Sequence, residues 1–365
     1  MKKQEKIIER ILGSLLTVFL LVSCVPVPVM PANEGTPTSV NTETAAIELP
    51  APYLSPYTNP LDTPHTYLED SCLYLINRWN RLNSEPGTVV MIIMLRDIIT
   101  IFNEEERRNG NVDVNDLRQI LDQLHAQGFE AIRTKQLLAF MERNVKIPPR
   151  SVLIIQDGTH DLENYDKSFR EYWQRWGWPV VNGWVNQPNL SDELWEQNIA
   201  LENEGFVDHQ PQGVTPQTIL TDDSSKVVIA RELKAPITPF IEKFQKNPIA
   251  VIWPNGGFGQ RTVTAARLLD YQLGFTTNSR GPVMYNWVPL ADQYDPNRPT
   301  FIPEGKIGDP LMTLPRFWPH EALNAIDQVR IMGEEAKAYA LTNKDVEFEY
   351  YRQVCEPIYG QMPTP

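Results

Sequence analysis

The sequence predicts an α/β fold with a mostly parallel sheet, either open or closed into a barrel. Short apolar runs rich in β-branched residues alternate along the chain with longer segments in which apolar residues recur at helical spacing. One apolar run, 152–155, ends in Gln156-Asp157-Gly158, and an Asp-Gly pair is typical of a turn. Because parallel α/β proteins build their sites where strands end, we expect the Asp157 carboxylate at a strand end within a functional site.

Predicted helices and strands follow one another in a regular order. Helices are expected at 66–82, 114–127, 134–143, 165–176, 191–205 and 236–246, from capping residues, helical spacing and glycine or proline stops. Strands are expected at 88–94, 130–132, 151–155, 179–185, 206–209 and 249–253. The first helix begins at a capping-box pattern, Thr66 to Glu69, and a proline-glycine break follows it.

Composition indicates a globular protein and excludes one class of partner. The chain has 365 residues, of which 42% are hydrophobic and 10% aromatic, enough for one large core or two modest ones. Its formal charge is -13, and without residues 1–23 it has 29 lysines and arginines against 44 acids, a charge of -15. A nucleic-acid partner is not expected, since that affinity comes chiefly from cations meeting phosphates.

The N-terminus is predicted to be a lipoprotein signal peptide, residues 1–23. Lysines and an arginine precede an apolar stretch, 11–22, that is too short to span a bilayer comfortably. The tetrapeptide Leu21-Val22-Ser23-Cys24 resembles a bacterial lipobox. That resemblance implies cleavage before Cys24 and lipid attachment to it, which anchors the protein to the membrane in an extracytoplasmic location. A plain signal peptide or an uncleaved anchor remains the alternative.

The remainder divides into three predicted parts. Residues 24–64 are rich in Pro, Thr, Asn and Ser, and 11–76 contain no Lys or Arg, which is typical of a disordered tether. Residues 65–330 form the folded domain, including the first helix. Residues 331–365 add a C-terminal helix and tail.

Seven short motifs occur in an order that carries a family resemblance. They are Leu95-Arg96-Asp97, Gln127-Gly128-Phe129, Gln156-Asp157-Gly158, Asp208-His209, Trp253-Pro254-Asn255-Gly256-Gly257, Leu273-Gly274-Phe275 and Leu314-Pro315-Arg316. Over about residues 88–318 the chain resembles the polysaccharide deacetylases with a NodB-homology domain, carbohydrate esterase family 4. The resemblance implies a distorted, incompletely closed (β/α) barrel. It also implies metal-dependent removal of acetyl groups from cell-surface or extracellular carbohydrate.

The resemblance assigns a metal site only in part. Asp157 matches the metal-binding carboxylate and His209 the first of two histidine ligands, for one divalent ion, most often zinc. Gln156 stands where the family has its catalytic base, and an amide has no basic lone pair at neutral pH. Gly213 stands where the second histidine belongs. A rearranged site would take its third ligand from His160 or Asp208, which are close in sequence.

Each of these residues also has a structural interpretation. Asp157 is explained equally well as a turn former, His209 as a neutral histidine held by a carboxylate, and His160 as a histidine of a surface loop. Arg316, the remaining candidate catalytic position, either points into the substrate groove or pairs with a structural acid.

A glycan groove is the predicted substrate site. Trp253, Asn255 and Gly256 belong to the family's rim loop, while Tyr285 and Trp287 combine aromatic faces with nearby polar groups, as sugar sites do. A glycine-rich turn explains the first set and core packing the second equally well. A phosphate-binding loop is disfavoured because the third glycine of the nucleotide pattern is missing.

The cysteines and the overall function each leave two alternatives. If Cys24 carries lipid, Cys72 and Cys355 are left in an oxidising compartment, either as a disulfide or as two free thiols. The first functional hypothesis is a metal-dependent deacetylase with a non-standard base and third ligand. The second is a glycan-binding lipoprotein that keeps the groove and has lost the metal.

Overall fold

The computed structural model describes residues 47–100, 105–106, 109–297 and 302–362. The predicted signal peptide, Cys24 and the tether as far as residue 46 lie outside the described residues. Within them, no helix combines the length and apolarity needed to cross a bilayer.

Strands and helices alternate through the described chain, as the sequence predicts. The strands are β1 Asp62–His65, β2 Val89–Leu95, β3 Ile98–Ile99, β4 Val112–Asp113, β5 Glu130–Ala131, β6 Arg150–Asp157, β7 Val180–Trp184, β8 Val207–Pro211, β9 Ala250–Ile252, β10 Leu273–Phe275, β11 Val283–Met284 and β12 Val288–Ala291. The helices are α1 Ser71–Trp79, α2 Val114–Ala126, α3 Thr134–Arg143, α4 Leu162–Ser168, α5 Arg170–Trp176, α6 Asp192–Glu204, α7 Lys226–Ile229, α8 Ile237–Phe244, α9 Gln260–Leu268, α10 Pro319–Tyr350 and α11 Glu356–Tyr359. The mixed α/β class is confirmed.

The main sheet has the order β11-β2-β6-β7-β8, and β5 pairs with the beginning of β6. The neighbours β2, β6, β7 and β8 are parallel, whereas β11 runs antiparallel to β2. Their register places Gln156 beside Asn182 and Asn182 beside His209, so these side chains share one face. Asp157 lies beside Gly183 on the opposite face.

Further parallel pairing links β9, β10 and the segment 314–317. Strand β9 pairs with β10. The amide of Leu314 donates to Gly274 (2.8 Å), and the amide of Phe317 donates to the carbonyl of Ile92 in β2 (2.7 Å). The segment 314–317 therefore joins β10 to β2 and brings Arg316 next to the end of β6.

The strands of the main sheet are buried on both faces. Val89, Met91 and Ile93 belong to the core beneath the helices, while Val90 and Ile92 belong to a second core on the other face. Burial of both faces explains why 89–95 is continuously apolar rather than alternating.

The first predicted helix begins later than the sequence indicates. Its cap is Asp70 rather than Thr66, because the Asp70 carboxylate accepts the amides of Cys72 and Leu73 (both 2.9 Å). The helix 165–176 is likewise divided at Phe169 into α4 and α5.

The domain extends beyond its predicted N-terminal boundary. Residues 47–64 were assigned to the tether, but β1 forms an antiparallel pair with β12. The hydroxyl of Tyr53 also donates to Glu335 at 2.6 Å. Backbone pairing and aromatic contacts therefore order a segment whose composition is typical of disorder.

The C-terminal boundary also moves. Helix α10 begins at Pro319, so the predicted division at residue 330 falls inside one continuous helix. This helix crosses the start of β2 closely: a Cβ at Gly87, whose φ is +85°, would lie 2.4 Å from the carbonyl oxygen of Gly333. Beyond α10, Cys355 forms a disulfide with Cys72 of α1, the first of the two alternatives left by the sequence.

Candidate functional site

Asp157 ends β6 and forms a buried ion pair with Arg316. Arg316 Nη1 donates to Asp157 Oδ1 at 2.6 Å, and Nη2 donates to Oδ2 at 3.0 Å. The third guanidinium nitrogen, Nε, donates to the carbonyl oxygen of Thr276 at 2.6 Å. The Arg316 side chain is fully buried and that of Asp157 is 5% exposed. Both carboxylate oxygens are thus engaged by one planar cation, the strongest form of this interaction.

The turn after Asp157 is fixed by its neighbours. The amide of Gly158, whose φ is +101°, donates to Gly183 O (2.9 Å) and to Gln212 Oε1 (2.8 Å). His160 Nε2 donates to the Asp157 carbonyl at 3.0 Å. His160 therefore closes the turn and is partly buried.

Gln156 lies in a buried amide pair. Its Oε1 accepts from Asn164 Nδ2 (2.9 Å), and its Nε2 donates to Asn164 Oδ1 (3.3 Å) and to the Arg96 carbonyl (3.2 Å). Both the oxygen and the nitrogen of the Gln156 amide therefore have partners. At the position where the family has its base, Gln156 instead links β6 to α4 and to the end of β2 by hydrogen bonds.

His209 points away from Asp157, into the helix layer. Its Nδ1 contacts Glu202 Oε2 and its Nε2 contacts Asn198 Oδ1, both at 2.9 Å. The ring stacks on Phe244 with centroids 4.4 Å apart. Burial lowers the pKa of His209, and the Glu202 carboxylate opposes that shift. Both ring nitrogens are therefore occupied by contacts with α6, on the face of the sheet opposite Asp157.

Asp208 is held in a separate ion pair. Lys246 Nζ contacts Asp208 Oδ1 (2.8 Å) and Glu202 Oε1 (2.6 Å), and the amide of Thr134 donates to Asp208 Oδ2 (3.0 Å). Burial raises the pKa of Asp208, but the Lys246 ammonium outweighs it and the pKa is lowered.

The predicted metal ligands are therefore not brought together. Asp157 and His209 lie on opposite faces of the sheet, while His160 and Asp208 serve other contacts. In the described part of the chain, no group of three or more His, Cys, Asp or Glu side chains is placed to hold a metal ion. The residues present do not fit the zinc site that the family resemblance implies.

Gly213 shows why the second histidine ligand is missing. Its φ is +84°, and a Cβ there would lie 2.7 Å from Glu232 Oε2 and 2.9 Å from Pro254 Cγ. Glu232 Oε2 accepts the amides of Val214 (2.8 Å) and Thr215 (3.0 Å). These backbone bonds outweigh burial and lower the pKa of Glu232. The loop after β8 is thus tied to a buried carboxylate and has no room for a side chain at 213.

The predicted rim residues differ in exposure. Trp253 is fully buried, and its indole nitrogen donates to Met312 O at 2.8 Å, so it belongs to the core and not to a groove. Gly256 is also buried, with a hypothetical Cβ only 2.1 Å from Thr277 Oγ1. Asn255 alone of these three is partly exposed, and its amide donates to Pro216 O at 2.7 Å.

Arg96 and Trp318 join Asn255 at the same end of the sheet. Arg96 Nη2 lies 3.5 Å from Asn255 Oδ1, and the Trp318 indole donates to Thr277 O at 2.8 Å. Gly110 packs between Arg96 and Trp318, since its Cβ would be 3.4 Å and 3.2 Å from them. We define Arg96, Asn255 and Trp318 as the strand-end rim. Trp318 directly follows the Leu314–Phe317 motif in the sequence, but its place beside Arg96 and Asn255 is evident only from the structure.

Tyr285 and Trp287 lie elsewhere. They occupy the turn between β11 and β12, beside the start of β2, whereas Asp157 lies beyond its other end. The two ends of the seven-residue strand β2 are six residue steps apart, or about 20 Å. The predicted substrate-binding set therefore belongs to two different places.

The fold of this sheet and its helices is shared with a solved deacetylase, in agreement with the fold that the order of the motifs predicts. No family model and no curated protein matches the sequence. Among solved structures, the deacetylase PplD of Streptococcus pyogenes, in complex with acetate, superposes with a TM-score of 0.51 at 17% identity, covering 67% of this chain and 99% of that one.

Two other solved structures give lower scores. IcaB from Ammonifex degensii has a TM-score of 0.49 at 13% identity, covering 67% of this chain and 98% of its own. A polysaccharide deacetylase from Bacillus cereus has a TM-score of 0.48 at 14% identity, covering 65% and 69%.

Proposed function

We propose that this chain is a polysaccharide deacetylase-like protein that binds acetylated carbohydrate at the strand-end rim without the family's metal-dependent hydrolysis. The bidentate pairing of Asp157 with Arg316 carries the proposal. A carboxylate whose two oxygens are held by a buried guanidinium is satisfied without a metal, and freeing it would leave Arg316 buried and unpaired.

The residues that the resemblance assigns to the other roles in the reaction are also engaged in other contacts. Metal-assisted hydrolysis needs an ion to generate the nucleophile and a base to take its proton. At the base position Gln156 is locked in an amide pair, and His209 is bonded at both nitrogens on the other face of the sheet. We therefore derive no step through a metal.

The strand-end rim supports carbohydrate binding. Trp318 offers a half-exposed aromatic face, while Arg96 and Asn255 offer a cation and an amide beside it. Sugar C–H faces stack on aromatic rings, and acetamido and hydroxyl groups take donors of this kind.

We propose in addition that the sheet closes into the distorted barrel implied by the resemblance. The segment 314–317 bonds to both β10 and β2. Between β8 and β9 a side chain bridges the gap, since Gln210 Oε1 accepts the amides of Ile249 and Ala250, both at 3.1 Å. A junction made by one side chain fits an incompletely closed barrel.

We also propose that the protein is extracytoplasmic and lipid-anchored through Cys24. The lipobox resemblance supports this location, and so does the Cys72–Cys355 disulfide, because disulfides persist in oxidising compartments.

Deacetylation is the second candidate, favoured by the fold shared with a deacetylase that was solved with acetate. One experiment separates the two. Purified protein is incubated with chitotetraose, with and without zinc, while acetate release and binding are both measured. We expect binding without acetate release. Tyr294→Ala, at an exposed residue, is the control. The non-catalytic proposal would be overturned if the wild-type protein released acetate, Asp157→Ala abolished the release and Tyr294→Ala left it intact.

A further inference from the structure

Glu232 is a buried carboxylate that is linked to the strand-end rim through one loop. It belongs to a π-helical segment, Ala230–Lys234, which directly follows α7, and its side chain is fully buried. Its Oε2 accepts the amides of Val214 (2.8 Å) and Thr215 (3.0 Å), and its Oε1 accepts from the hydroxyl of Thr218 at 3.2 Å. Short π-helical turns are frequent at functional sites. We call residues 214–218 the Glu232 loop.

The Glu232 side chain is ionised at neutral pH. Burial raises its pKa, but the amides of Val214 and Thr215 outweigh burial and the pKa is lowered. Arg231 Nε also donates to Glu232 Oε1 at 2.7 Å. Hydrogen bonds to an ionised acceptor are roughly twice as strong as those between neutral groups. The carboxylate is therefore a firm attachment point for the Glu232 loop.

The Glu232 loop in turn holds the side chain of Asn255. Asn255 Nδ2 donates to the carbonyl oxygens of Pro216 (2.7 Å) and Thr218 (3.3 Å). A carbonyl oxygen can only accept, so the nitrogen of the amide must face the loop. Asn255 Oδ1 therefore faces the other way, and Arg96 Nη2 lies 3.5 Å from it. The loop decides which end of this amide the rim presents.

The backbone at Asn255 is also shaped by this packing. Its φ is +47°, in the left-handed region that few residues other than glycine adopt. After it, a Cβ at Gly257 would lie 2.6 Å from Ile219 Cγ2, and one at Gly259 would lie 2.7 Å from Asp222 Oδ1. The segment that carries Asn255 thus packs directly against the continuation of the Glu232 loop.

The orientation of the Asn255 amide determines which chemical group fits the rim. As held by the loop, Asn255 Oδ1 is an acceptor beside a donor, Arg96 Nη2. A hydroxyl both donates and accepts, so a single hydroxyl can bind to both atoms at once. With the amide reversed, the rim would present two donors, which fit a carbonyl oxygen instead.

We propose that Glu232 is a positioning residue of the strand-end rim, which through the Glu232 loop turns the carbonyl oxygen of Asn255 toward a ligand hydroxyl. That this hydroxyl belongs to a sugar rests on the proposed function. Glu232 acts only through Asn255, since its own side chain is fully buried and bonded to the loop.

The test is a double-mutant cycle in which binding of chitotetraose to the purified full chain is measured by calorimetric titration. Asn255→Gly removes the side chain and keeps the left-handed backbone free of strain. Asn255→Gly and Glu232→Ala should each weaken binding by about 2- to 10-fold, the effect of one hydrogen bond. Because Glu232 acts through Asn255, adding Glu232→Ala to Asn255→Gly should cause no further loss.

Two further variants complete the cycle. Glu232→Gln keeps an oxygen that can accept both loop amides, so its affinity should stay within about 2-fold of the wild-type value. Glu242→Ala is the matched control, because Glu242 is an exposed acid of α8, and its affinity should be unchanged.

The outcomes separate this inference from the proposed function. If Asn255→Gly weakens binding and Glu232→Ala does not, the positioning role is overturned while the proposed function stands. An equal loss from Glu232→Ala in the wild-type and Asn255→Gly backgrounds would also overturn it, since Glu232 would then act independently of Asn255. Absence of binding by the wild-type chain would overturn both.

Thr218→Val takes the place of Glu232→Ala if that variant does not fold. It keeps the shape of the side chain and removes only the hydroxyl that bonds to Glu232. We expect it to weaken binding by about 2-fold, the lower end of the effect of one hydrogen bond, and to have no effect in the Asn255→Gly background. Unchanged affinity in Thr218→Val would count against the positioning role.

Discussion

Arg316 holds both carboxylate oxygens of Asp157, at 2.6 Å and 3.0 Å, in a site closed to solvent. The guanidinium supplies the positive charge that the family resemblance assigns to a metal ion. Because it also donates to the Thr276 carbonyl, the pair ties the end of β6 to β10 and to the segment 314–317.

Breaking this pair should destabilise the protein strongly. We expect Arg316→Met to lower the free energy of unfolding by about 3 to 5 kcal/mol, since it leaves a buried carboxylate uncompensated. Asp157→Leu combined with Arg316→Met should cost less than Arg316→Met alone. Urea unfolding of the single and double variants measures both.

The matched control is an exposed pair. Arg175 lies 2.7 Å from Glu171 one helical turn away, with side chains 55% and 62% exposed. Arg175→Met should cost about 0.5 kcal/mol or less. If Arg316→Met costs no more than this control, the pair does not have the structural role assigned to it.

The sequence predicted most elements because their signals are local. Apolar runs, caps and glycine stops place β2, β6, α2 and α6 within a residue or two of their bounds. The start of helix α1 was misplaced because Asp70 competes with Thr66 as the cap. The ordered segment 47–64 was missed because its pairing with β12 depends on a partner distant in sequence.

The candidate site was harder to predict, for a geometric reason. Asp157 was correctly placed at a strand end, but a shift of one residue in register moves a side chain to the opposite face. His209 looked like a ligand because its separation along the chain matched the motif. Only the register, which pairs it with Asn182, shows that it faces the helices.

Gly213→Ala should be destabilising, beyond the cost of its positive φ. The substituted Cβ would meet Glu232 and Pro254 at under 3 Å. Gly177 is the matched control, because its φ is +70° and nothing lies within 4 Å of its Cβ position. Gly177→Ala should cost about 1 to 2 kcal/mol, the left-handed penalty alone, and Gly213→Ala clearly more. Thermal unfolding compares them, and equal costs would contradict the packing argument.

The same clash predicts that the family's metal site cannot be restored here by two substitutions. In Gln156→Asp combined with Gly213→His, the new histidine has no space, and His209 still faces Glu202. We expect no gain in zinc bound by the purified variant, measured by metal analysis after dialysis. Stoichiometric zinc would show that the loop rearranges more readily than its contacts with Glu232 indicate.

The disulfide should stabilise the domain. It joins Cys72 and Cys355 across a sequence separation of 283 residues. In the chain-entropy model, closing a loop of this length contributes about 5 to 6 kcal/mol. The paired substitution Cys72→Ser and Cys355→Ser should lower stability by this amount, with no further loss on adding reductant. Intact mass with and without reduction before alkylation identifies the bond, and two free thiols in unreduced protein would disprove it.

Cys24→Ser tests the proposed anchor. If the lipobox is processed, this variant should lose lipid modification and leave the membrane fraction, detected by metabolic labelling with a fatty acid and by fractionation. Cys72→Ser is the control, and its lipid labelling should be unchanged. Retention of Cys24→Ser in membranes would indicate an uncleaved anchor.

Lys246 should make stability depend on acid pH, because it contacts Glu202 at 2.6 Å and Asp208 at 2.8 Å. Burial raises the pKa of both carboxyl groups, but their partners outweigh it. His209 and Lys246 lower the pKa of Glu202 below its ordinary value of 4.5. Lys246 lowers the pKa of Asp208 below its ordinary value of 3.8. Their stabilisation is therefore present above about pH 4.5 and lost as pH falls through the depressed values. At pH 7, Lys246→Gln should cost about 1.5 to 3 kcal/mol. Urea unfolding should show that deficit shrinking below pH 4.5, and a deficit constant down to pH 3 would refute the linkage.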